Sequence, residues 1–242
     1  KYSGITDHIT TIPTGIDLQP YQEATGASIR KKYNWEKEQI LISIGRLATE
    51  KNIKTLLSAS AIVMQTNPNA RLVMIGDGPQ KEDLKRYAKE LGIAEKVLFT
   101  GLVPFDQIPK YLKAADLFCF ASITETQGLV TMEAMAAGLP VVAVRGTGTT
   151  EIVQDGNTGI LTDNTPESLA KAILQVLENN DLHNRFQKNA LEISQSFDIS
   201  VQAKKMTCVY EQSIEDKKAG RSIKANLEAL KQIKNQPKTL VQ

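Results

Sequence analysis

Residues 39–65 read QILISIGRLATEKNIKTLLSASAIVMQ, and the fold prediction starts from this stretch. Its first six residues, 39–44, form a short apolar run that ends at a glycine, which is typical of a buried strand. From Asn52 to Gln65, apolar residues recur at the spacing of one helix face. A strand that passes through a glycine-containing loop into a helix is the repeating unit of an α/β fold.

The same alternation of strand and helix continues along the chain. Further apolar runs, which we predict to be strands, lie at 71–75, 97–100, 116–120, 140–144 and 159–161, with an additional strand near Ile9 to Ile12. Helical patterns separate them, at 80–91, 107–114, 129–137 and 166–178. The apolar runs are continuous rather than alternating, which indicates strands covered on both faces. We therefore predict a doubly wound, mostly parallel sheet, a Rossmann-like α/β fold with extra C-terminal helices.

The composition excludes several classes of protein. The chain has 242 residues, 41% hydrophobic and 23% charged, as in a soluble globular domain. Its net charge of +2 lacks the basic excess of nucleic-acid-binding proteins, so no nucleic acid partner is expected. No apolar run is long enough to span a bilayer, and the two cysteines and two histidines show no disulfide or metal-site spacing. A cytoplasmic protein fits this composition, and the first residue, Lys1, suggests a piece of a longer chain.

The C-terminal end differs from the rest of the chain. A helix is predicted from Phe197 to Gln212, and residues 217–242 carry seven basic side chains and one acidic one, a net charge of +6. In this tail four apolar residues share one helix face: Ile223, Leu227, Leu230 and Ile233. Such a tail suits either a contact with anionic lipid headgroups or packing on another domain. We therefore divide the chain into a Rossmann-like domain at 1–196 and C-terminal helices at 197–242.

The loop after the first strand of the quoted stretch is a candidate phosphate site, because ligands of open parallel sheets bind at the carboxyl ends of the strands. In this loop Arg46 and Lys51 lie five residues apart, and Asn52 then opens a helix whose first N–H groups are free. Two cations beside a helix N-terminus favour a phosphate ligand. A solvated loop before a helix has the same composition, so both interpretations stay open at this point.

The most informative loop follows the predicted strand at 116–120. Glu125 and Glu133 lie eight residues apart, across the loop and the start of a helix. A carboxylate accepts hydrogen bonds from two hydroxyls, which suits the vicinal diol of a sugar, and the backbone amides at 126–129 can be directed at the same ligand. Two carboxylates also permit the acid and nucleophile roles of a glycoside hydrolase. Acidic residues at a helix start also simply complement the helix dipole.

Three other features predict no chemistry by themselves. The turn at 76–79 lacks the third glycine of the dinucleotide fingerprint, so Asp77 is interpreted as a turn residue. The loop at 146–151 suits a ligand approach or a plain strand-to-helix turn. Cys119 and Cys208 are both expected to be buried, Cys119 in a strand and Cys208 on a helix.

Taken together, these motifs resemble the C-terminal, donor-binding half of a retaining GT-B glycosyltransferase of the E-x₇-E type, the group 1 family. The resemblance runs from about Ile9 to Tyr210. Six motifs occur in the order that this family uses: IPTGID at 12–17, GRLATEKN at 45–52, IGDGP at 75–79, FTGLVP at 99–104, ETQGLVTMEAMAAGLPVVA at 125–143 and EIVQDGNTGIL at 151–161. The ETQGLV motif further resembles bacterial glucosyltransferases that act on diacylglycerol.

The resemblance implies a role for each candidate residue. Arg46 and Lys51 would bind the donor diphosphate, Glu133 would hold the ribose hydroxyls, and Glu125 would hold the donor sugar. The candidate catalytic residues are then Glu125, Arg46 and Lys51. The implied donor-binding set, which includes a backbone edge for the nucleobase and a glycine near the phosphates, is Gly15, Arg46, Lys51, Leu102, Val103, Glu125, Thr126, Gln127, Gly128, Leu129, Val130 and Glu133.

The resemblance also implies the reaction and the partners. A hexose would pass from a nucleotide diphosphate sugar of the UDP-glucose type to an acceptor such as a membrane lipid, at the inner face of the cell membrane. An N-terminal acceptor-binding domain would complete the enzyme, and 217–242 would contact an anionic membrane surface. No D-x-D motif occurs, so Arg46 and Lys51 would replace a metal ion and no cofactor is expected. A glycoside hydrolase and a non-catalytic nucleotide-binding module are the alternatives.

Overall fold

The structure, a computed structural model, describes residues 10–220. Its six strands are all parallel and form one sheet. They are β1 (Gln39–Ile44), β2 (Ala70–Ile75), β3 (Val97–Gly101), β4 (Leu117–Phe120), β5 (Val141–Val144) and β6 (Gly159–Thr162). The predicted strands from 39 to 161 are therefore confirmed, with ends that differ by at most one residue.

The order of the strands in the sheet is β3-β2-β1-β4-β5-β6. The chain moves outward from β1 through β2 to β3, returns to the other side of β1 at β4, and continues outward to β6. This order confirms the predicted doubly wound sheet. It also places a crevice between the carboxyl ends of β1 and β4, where the direction of winding reverses and where ligands of such sheets bind.

Ten α-helices accompany the strands in the described part of the chain. They are α1 (Gln19–Glu23), α2 (Ala27–Tyr33), α3 (Ile53–Thr66), α4 (Lys81–Glu90), α5 (Ile108–Ala114), α6 (Leu129–Ala136), α7 (Thr149–Ile152), α8 (Pro166–Leu177), α9 (Asn180–Ser194) and α10 (Ile199–Lys218). The helices predicted between the strands are present. Four helices were not predicted: α1, α2, α7 and α9.

The core lies in two layers, one on each face of the sheet. Ile40 and Ile42 of β1 pack in one layer and Leu41 packs in the other. Helices α1, α2, α5, α6 and α7 cover the first layer, α3, α4 and α8 cover the second, and α9 contributes to both. Because successive strand residues enter opposite layers, a central strand has no solvent-facing side, and all of β1 except Gln39 is buried. This explains the continuous apolar runs.

The prediction of an N-terminal strand near Ile9 to Ile12 is wrong for the residues that the structure describes. Residues 10–12 are not in a strand, and Ile9 lies outside the described residues. A strand-like contact occurs instead at Ile16, which forms a parallel bridge with Asp198. Its N–H donates to Phe197 O and its carbonyl accepts from Ile199 N, both at 2.9 Å.

The described residues fall into two units, one of residues 14–199 and one of 10–13 with 200–220. The proposed division at 196/197 stays a prediction. Helix α10 begins two residues later than predicted, because 195–197 form a 3₁₀ turn, and it continues six residues further. Cys208 is exposed on it, so the prediction of a buried thiol is wrong there. The apolar stripe of the tail lies outside the described residues.

Between residues 10 and 220, no helix combines the length and the apolar character that crossing a bilayer requires.

Candidate functional site

The loop after β1 is fixed by the loop after β2. Leu47 N donates to Asp77 O at 3.0 Å, and Gln80 N donates back to Leu47 O at 3.0 Å. Gly76 has φ +138°, and a Cβ at this position would lie 2.0 Å from the carbonyl oxygen of Gly45. The glycine is therefore required by a close approach of two backbones. The Asp77 carboxylate accepts from Gly78 N within its own turn and pairs with Lys81, the first residue of α4, in agreement with the turn interpretation.

The structure brings Lys51 and Glu125 together. They come from the loops after β1 and β4 and form an ion pair through Lys51 Nζ and Glu125 Oε1. Both side chains are largely buried, with 22% and 13% of their area exposed. Lys51 Nζ also lies 5.8 Å from the ring centre of Phe120, the last residue of β4. A cation and a carboxylate are thus held at the crevice that the reversal of winding creates.

Arg46 is the second predicted cation. Its side chain is exposed, and it lines a small cavity together with Lys51 and Phe120. Arg46 makes no ion pair with any residue from 10 to 220, so its guanidinium remains available to a ligand. The two cations that the sequence singled out therefore border the same cavity.

The backbone between the two glutamates turns into α6 at Gly128. Gly128 has φ +65° and precedes the first residue of the helix, Leu129. The N–H groups of Leu129 and Val130 belong to the first turn, where no acceptor exists within the helix. Thr126 is exposed and Gln127 half-exposed on the loop before it. The predicted amide-rich segment 126–130 thus leads directly into a helix N-terminus.

The loop after β5 supports the Glu125 backbone. Glu125 N donates to Thr147 O at 3.3 Å, and Thr147 N donates to Ile123 O at 3.3 Å. Gly148 has φ +74°, and a Cβ there would lie 2.8 Å from the Glu125 carbonyl oxygen. Of the two interpretations of the 146–151 segment, the strand-to-helix turn is present, because α7 begins within the segment at Thr149. The same turn also braces a candidate site residue.

Glu133 lies in the second turn of α6, where it faces α1 rather than the cations. It is half-buried, and this desolvation raises the pKa of its carboxyl above the usual range. A contact with Tyr21 of α1 partly opposes that increase. Tyr21 is 2% exposed, and its pKa is raised by burial first and by the Glu133 charge second. The hydroxyl of Tyr21 lies outside ordinary hydrogen-bond geometry with the described residues.

Three of the predicted donor-binding residues, Gly15, Leu102 and Val103, are expected to act through their backbone rather than their side chains. Gly15 packs so closely that a Cβ would lie 2.5 Å from Ile199 Cα. Leu102 is 81% exposed in the loop after β3, and Val103 is half-buried against the core. A cavity of about 460 Å³ adjoins this loop and is lined by both residues and by Tyr33. The proposed contacts of all three with a donor stay predictions.

No group of three or more His, Cys, Asp or Glu residues suited to a metal ion occurs within residues 10–220. Cys119 is fully buried, as predicted, and burial raises the pKa of its thiol. The prediction that no metal takes part stays a prediction.

Sequence reasoning missed three contributors to this region. Tyr21 lies on a helix of five residues, too short for a periodic pattern to reveal. Phe120 was assigned to a strand, but its ring also borders Lys51. Asn164, after β6, contacts Asn52 from 112 residues away in the chain. Only the rule that polar groups meet at the carboxyl ends of parallel strands could have suggested the last contact.

The chain is similar to known glycosyltransferases in sequence. Residues 27–193 match the family model of the glycosyl transferases group 1. An alpha-monoglucosyldiacylglycerol synthase from Streptococcus pneumoniae is 37% identical over 172 residues, which are 69% of this chain and 39% of that protein. A GDP-mannose-dependent alpha-(1-6)-phosphatidylinositol monomannoside mannosyltransferase from Mycobacterium tuberculosis is 32% identical over 180 residues, 70% of this chain and 47% of that protein.

Solved structures of similar fold include one with bound ligands. Anabaena Alr3699/HepE, crystallised with UDP and glucose, superposes with a TM-score of 0.77 and 26% identity, covering 86% of this chain and 58% of that one. The chain spans less than half the length of the two enzymes named above. Residues 27–193, which match the family model, contain the six strands of the sheet and the loops that follow them.

Proposed function

The chain belongs to the group 1 glycosyltransferases, and on this premise we propose that it is the donor-binding domain of a retaining enzyme that transfers a hexose from a nucleoside diphosphate sugar to a membrane lipid. One observation carries the proposal. Lys51 and Glu125 come from loops 74 residues apart and pair at the crevice between β1 and β4. The Lys51 cation, the Glu125 carboxylate and the N-terminus of α6 therefore all border the crevice between β1 and β4.

The chemistry of the transfer explains why cations are needed there. Breaking the bond between an anomeric carbon and a diphosphate leaves negative charge on the phosphate oxygens, and groups fixed in advance around that charge lower the barrier. Lys51, Arg46 and the first-turn amides of α6 would supply such groups. One cation at contact distance from a unit charge gains about 4 kcal/mol before desolvation, at an effective dielectric of about 20. No metal is assigned to this step.

Glu125 has two successive partners in this proposal. Without a donor it pairs with Lys51. When the diphosphate arrives, Lys51 turns to the phosphate oxygens, and the released carboxylate accepts hydrogen bonds from hydroxyls of the sugar. The same pair would thus be exchanged for two contacts with the donor, one at each side of the bond that breaks.

Glu133 would bind the ribose. A carboxylate that is partly removed from water gains from two hydroxyl donors in place of the lost hydration. Its raised pKa is consistent with a site that is completed by the ligand. Leu102 and Val103 would border the nucleobase through their backbone, and Gly15 would allow the phosphates to approach.

The donor and the acceptor are supported by relatives. Alr3699/HepE was crystallised with UDP and glucose, and the pneumococcal relative is named for a glucosyl product, so UDP-glucose is the proposed donor. The mycobacterial relative is named for GDP-mannose, which makes GDP the competing nucleotide. Both curated relatives are named for glycolipids, which supports a lipid acceptor at the inner face of the cell membrane. An N-terminal half would bind that acceptor, and the tail at 217–242 would contact the membrane.

The experiment is a calorimetric titration of the 242-residue chain with UDP, UMP, GDP and ADP, with EDTA present and then with Mg²⁺. We expect UDP to bind more tightly than UMP, because only UDP presents a β-phosphate to the two cations. Lys51→Ala and Arg46→Ala should each weaken UDP binding by about 1.5–3 kcal/mol, the range of charge-assisted hydrogen bonds. That range corresponds to about 10- to 150-fold in affinity.

The matched control is Lys85→Ala, which removes a lysine that pairs with Glu82 on the surface of α4. Its affinity for UDP should equal that of the unsubstituted chain. Equal affinities for UDP and UMP, or an unchanged UDP affinity in both Lys51→Ala and Arg46→Ala, would contradict the diphosphate assignment. A preference for GDP would keep the site and change the donor. Hydrolysis of a simple glycoside without nucleotide would favour the glycoside hydrolase instead.

A further inference from the structure

Asn52 has an unusual backbone conformation directly after Lys51. Its φ of +52° and ψ of +37° lie in the left-handed region, which asparagine adopts more readily than most residues. It ends the short turn Thr49–Lys51 and begins α3. At the start of a helix, an asparagine side chain ordinarily accepts a hydrogen bond from a first-turn backbone N–H. Asn52 makes no such bond.

The side chain of Asn52 is bonded elsewhere. Its Nδ2 donates to Ala121 O at 3.2 Å and to Asn164 Oδ1 at 2.7 Å. Its Oδ1 accepts from Thr55 Oγ1 at 2.8 Å. Both protons of the amide are therefore used outside the helix that the residue begins, and its oxygen is held by the first turn of that helix.

These contacts join three loops of the candidate site. Ala121 is the first residue after β4 and starts the loop that carries Glu125, whereas Asn164 follows β6. Strands β1 and β6 are not neighbours in the sheet, so ladder hydrogen bonds cannot couple their loops. A second link between the first two loops, Ser122 Oγ to Glu50 O at 3.3 Å, lies beside Asn52.

We propose that Asn52 is a positioning residue, whose side chain holds the loop of Arg46 and Lys51 against the loop of Glu125 through its bonds to Ala121 and Asn164. The inference rests on the proposed function, since it gives the nucleoside diphosphate as the ligand for which the loops are held. Asn52 itself does not have to touch the donor. Its effect on binding comes from the fixed distance between Arg46 and Lys51 on one loop and Glu125 on the other, the groups that contact the donor in the proposed function.

Asn52→Gly tests this directly, because glycine keeps the left-handed backbone and removes only the side chain. Asn34→Gly is the matched control, since Asn34 has φ +54° at the end of α2 and lies exposed, outside this network. Asn164→Ala removes the acceptor of one Asn52 hydrogen bond. Asn164→Asp should keep this hydrogen bond, because a carboxylate oxygen can accept from the same Asn52 amide. Each variant of the 242-residue chain is examined by amide hydrogen exchange without ligand and by titration with UDP and UMP.

We expect Asn52→Gly to speed amide exchange of the segments 45–52 and 121–128 by about tenfold, as the loss of its two hydrogen bonds to other loops implies. Asn34→Gly should leave the exchange of both segments unchanged. UDP affinity should fall about tenfold while UMP affinity changes less, because the β-phosphate depends on the held cations. Asn164→Ala should give a smaller effect of the same kind, and Asn164→Asp should restore it.

Unchanged exchange at 121–128 in Asn52→Gly would overturn the proposal, whatever the nucleotide result. So would an equal fall of UDP and UMP affinity, or the same changes in Asn34→Gly. If the unsubstituted chain binds no nucleotide, the proposed function fails, and the exchange measurement still decides whether Asn52 couples the loops. The two failures are therefore distinguishable.

Discussion

Replacement of Glu125 by glutamine should tighten the binding of UDP, although Glu125 is itself proposed as a donor-binding residue. In the structure the Glu125 carboxylate is paired with Lys51. A diphosphate must therefore displace this carboxylate before Lys51 can contact a phosphate oxygen. Glutamine has nearly the same size and removes the charge that competes with the ligand.

The size of the effect follows from the burial of the pair. Exposed ion pairs contribute up to about 1 kcal/mol, and loss of one partner of a fully buried pair costs several times more. With 22% and 13% of the side chains exposed, a competition of about 1 kcal/mol is a conservative value. It corresponds to about fivefold tighter binding of UDP. UDP-glucose should respond in the opposite direction, because its sugar loses an ionised acceptor worth about 1.5–3 kcal/mol.

The assay is calorimetric titration of the chain and of Glu125→Gln with UDP and with UDP-glucose at one fixed salt concentration. Glu82→Gln serves as the control, since Glu82 pairs with Lys85 on an exposed helix face, and it should bind both ligands like the unsubstituted chain. Weaker binding of UDP by Glu125→Gln would refute the reasoning, because it would mean that the carboxylate holds Lys51 in place for the phosphate. Equal changes for both ligands would refute the sugar contact.

The remaining predictions concern stability and reactivity. Glu133→Gln should raise the stability of the chain at pH 7, because the raised carboxyl pKa makes ionisation costly in the folded state. The gain in stability should disappear as the pH falls below 4.5, the ordinary pKa of a glutamate carboxyl, because the carboxyl is then protonated in both the folded and the unfolded state. Urea unfolding at pH 7 and pH 4 would show this loss, and an equal gain at both pH values would contradict the prediction. Gly76→Ala should destabilise the chain by about 3 kcal/mol or more, since its Cβ would clash with backbone, whereas Gly92→Ala meets open space and costs only the strain of its φ of +72°, about 1 kcal/mol. Equal melting temperatures of Gly76→Ala and Gly92→Ala would contradict this expected difference in stability. In the native chain a thiol reagent should modify Cys208 and spare Cys119 until unfolding, so rapid native labelling of both would be contrary to their burial.

The strands were predictable because of the topology. In a parallel sheet covered on both faces, a strand such as β1 has no solvent-facing side, so its largely apolar run ends where the strand ends. Helix α9 was missed because its buried residues recur only at every fourth position and one of them is polar: Phe186, Ala190 and Ser194. Helices α1 and α2 have five and seven residues, fewer than two turns, and their positions are set by packing rather than by their own pattern.

The candidate site could be predicted in part for the same reason. Arg46, Lys51, Glu125 and Glu133 all follow strands in the chain, and the carboxyl ends of parallel strands meet at one edge. What the sequence could not predict is which side chains pair across that edge. The pairing of Lys51 with Glu125 depends on the neighbouring positions of β1 and β4, which local pattern does not reveal. Cys208 was mispredicted because the burial of a helix face depends on what covers it.

The bridge between Ile16 and Asp198 places the first and last backbone segments of the unit 14–199 side by side. A short linker could therefore join them, and new termini could be opened in an exposed turn such as the one at Gly156, where a Cβ would meet open space. A circularly permuted unit should keep all six strands in their order. The same adjacency should allow the unit to be inserted into another chain at a single position, because its two ends leave side by side.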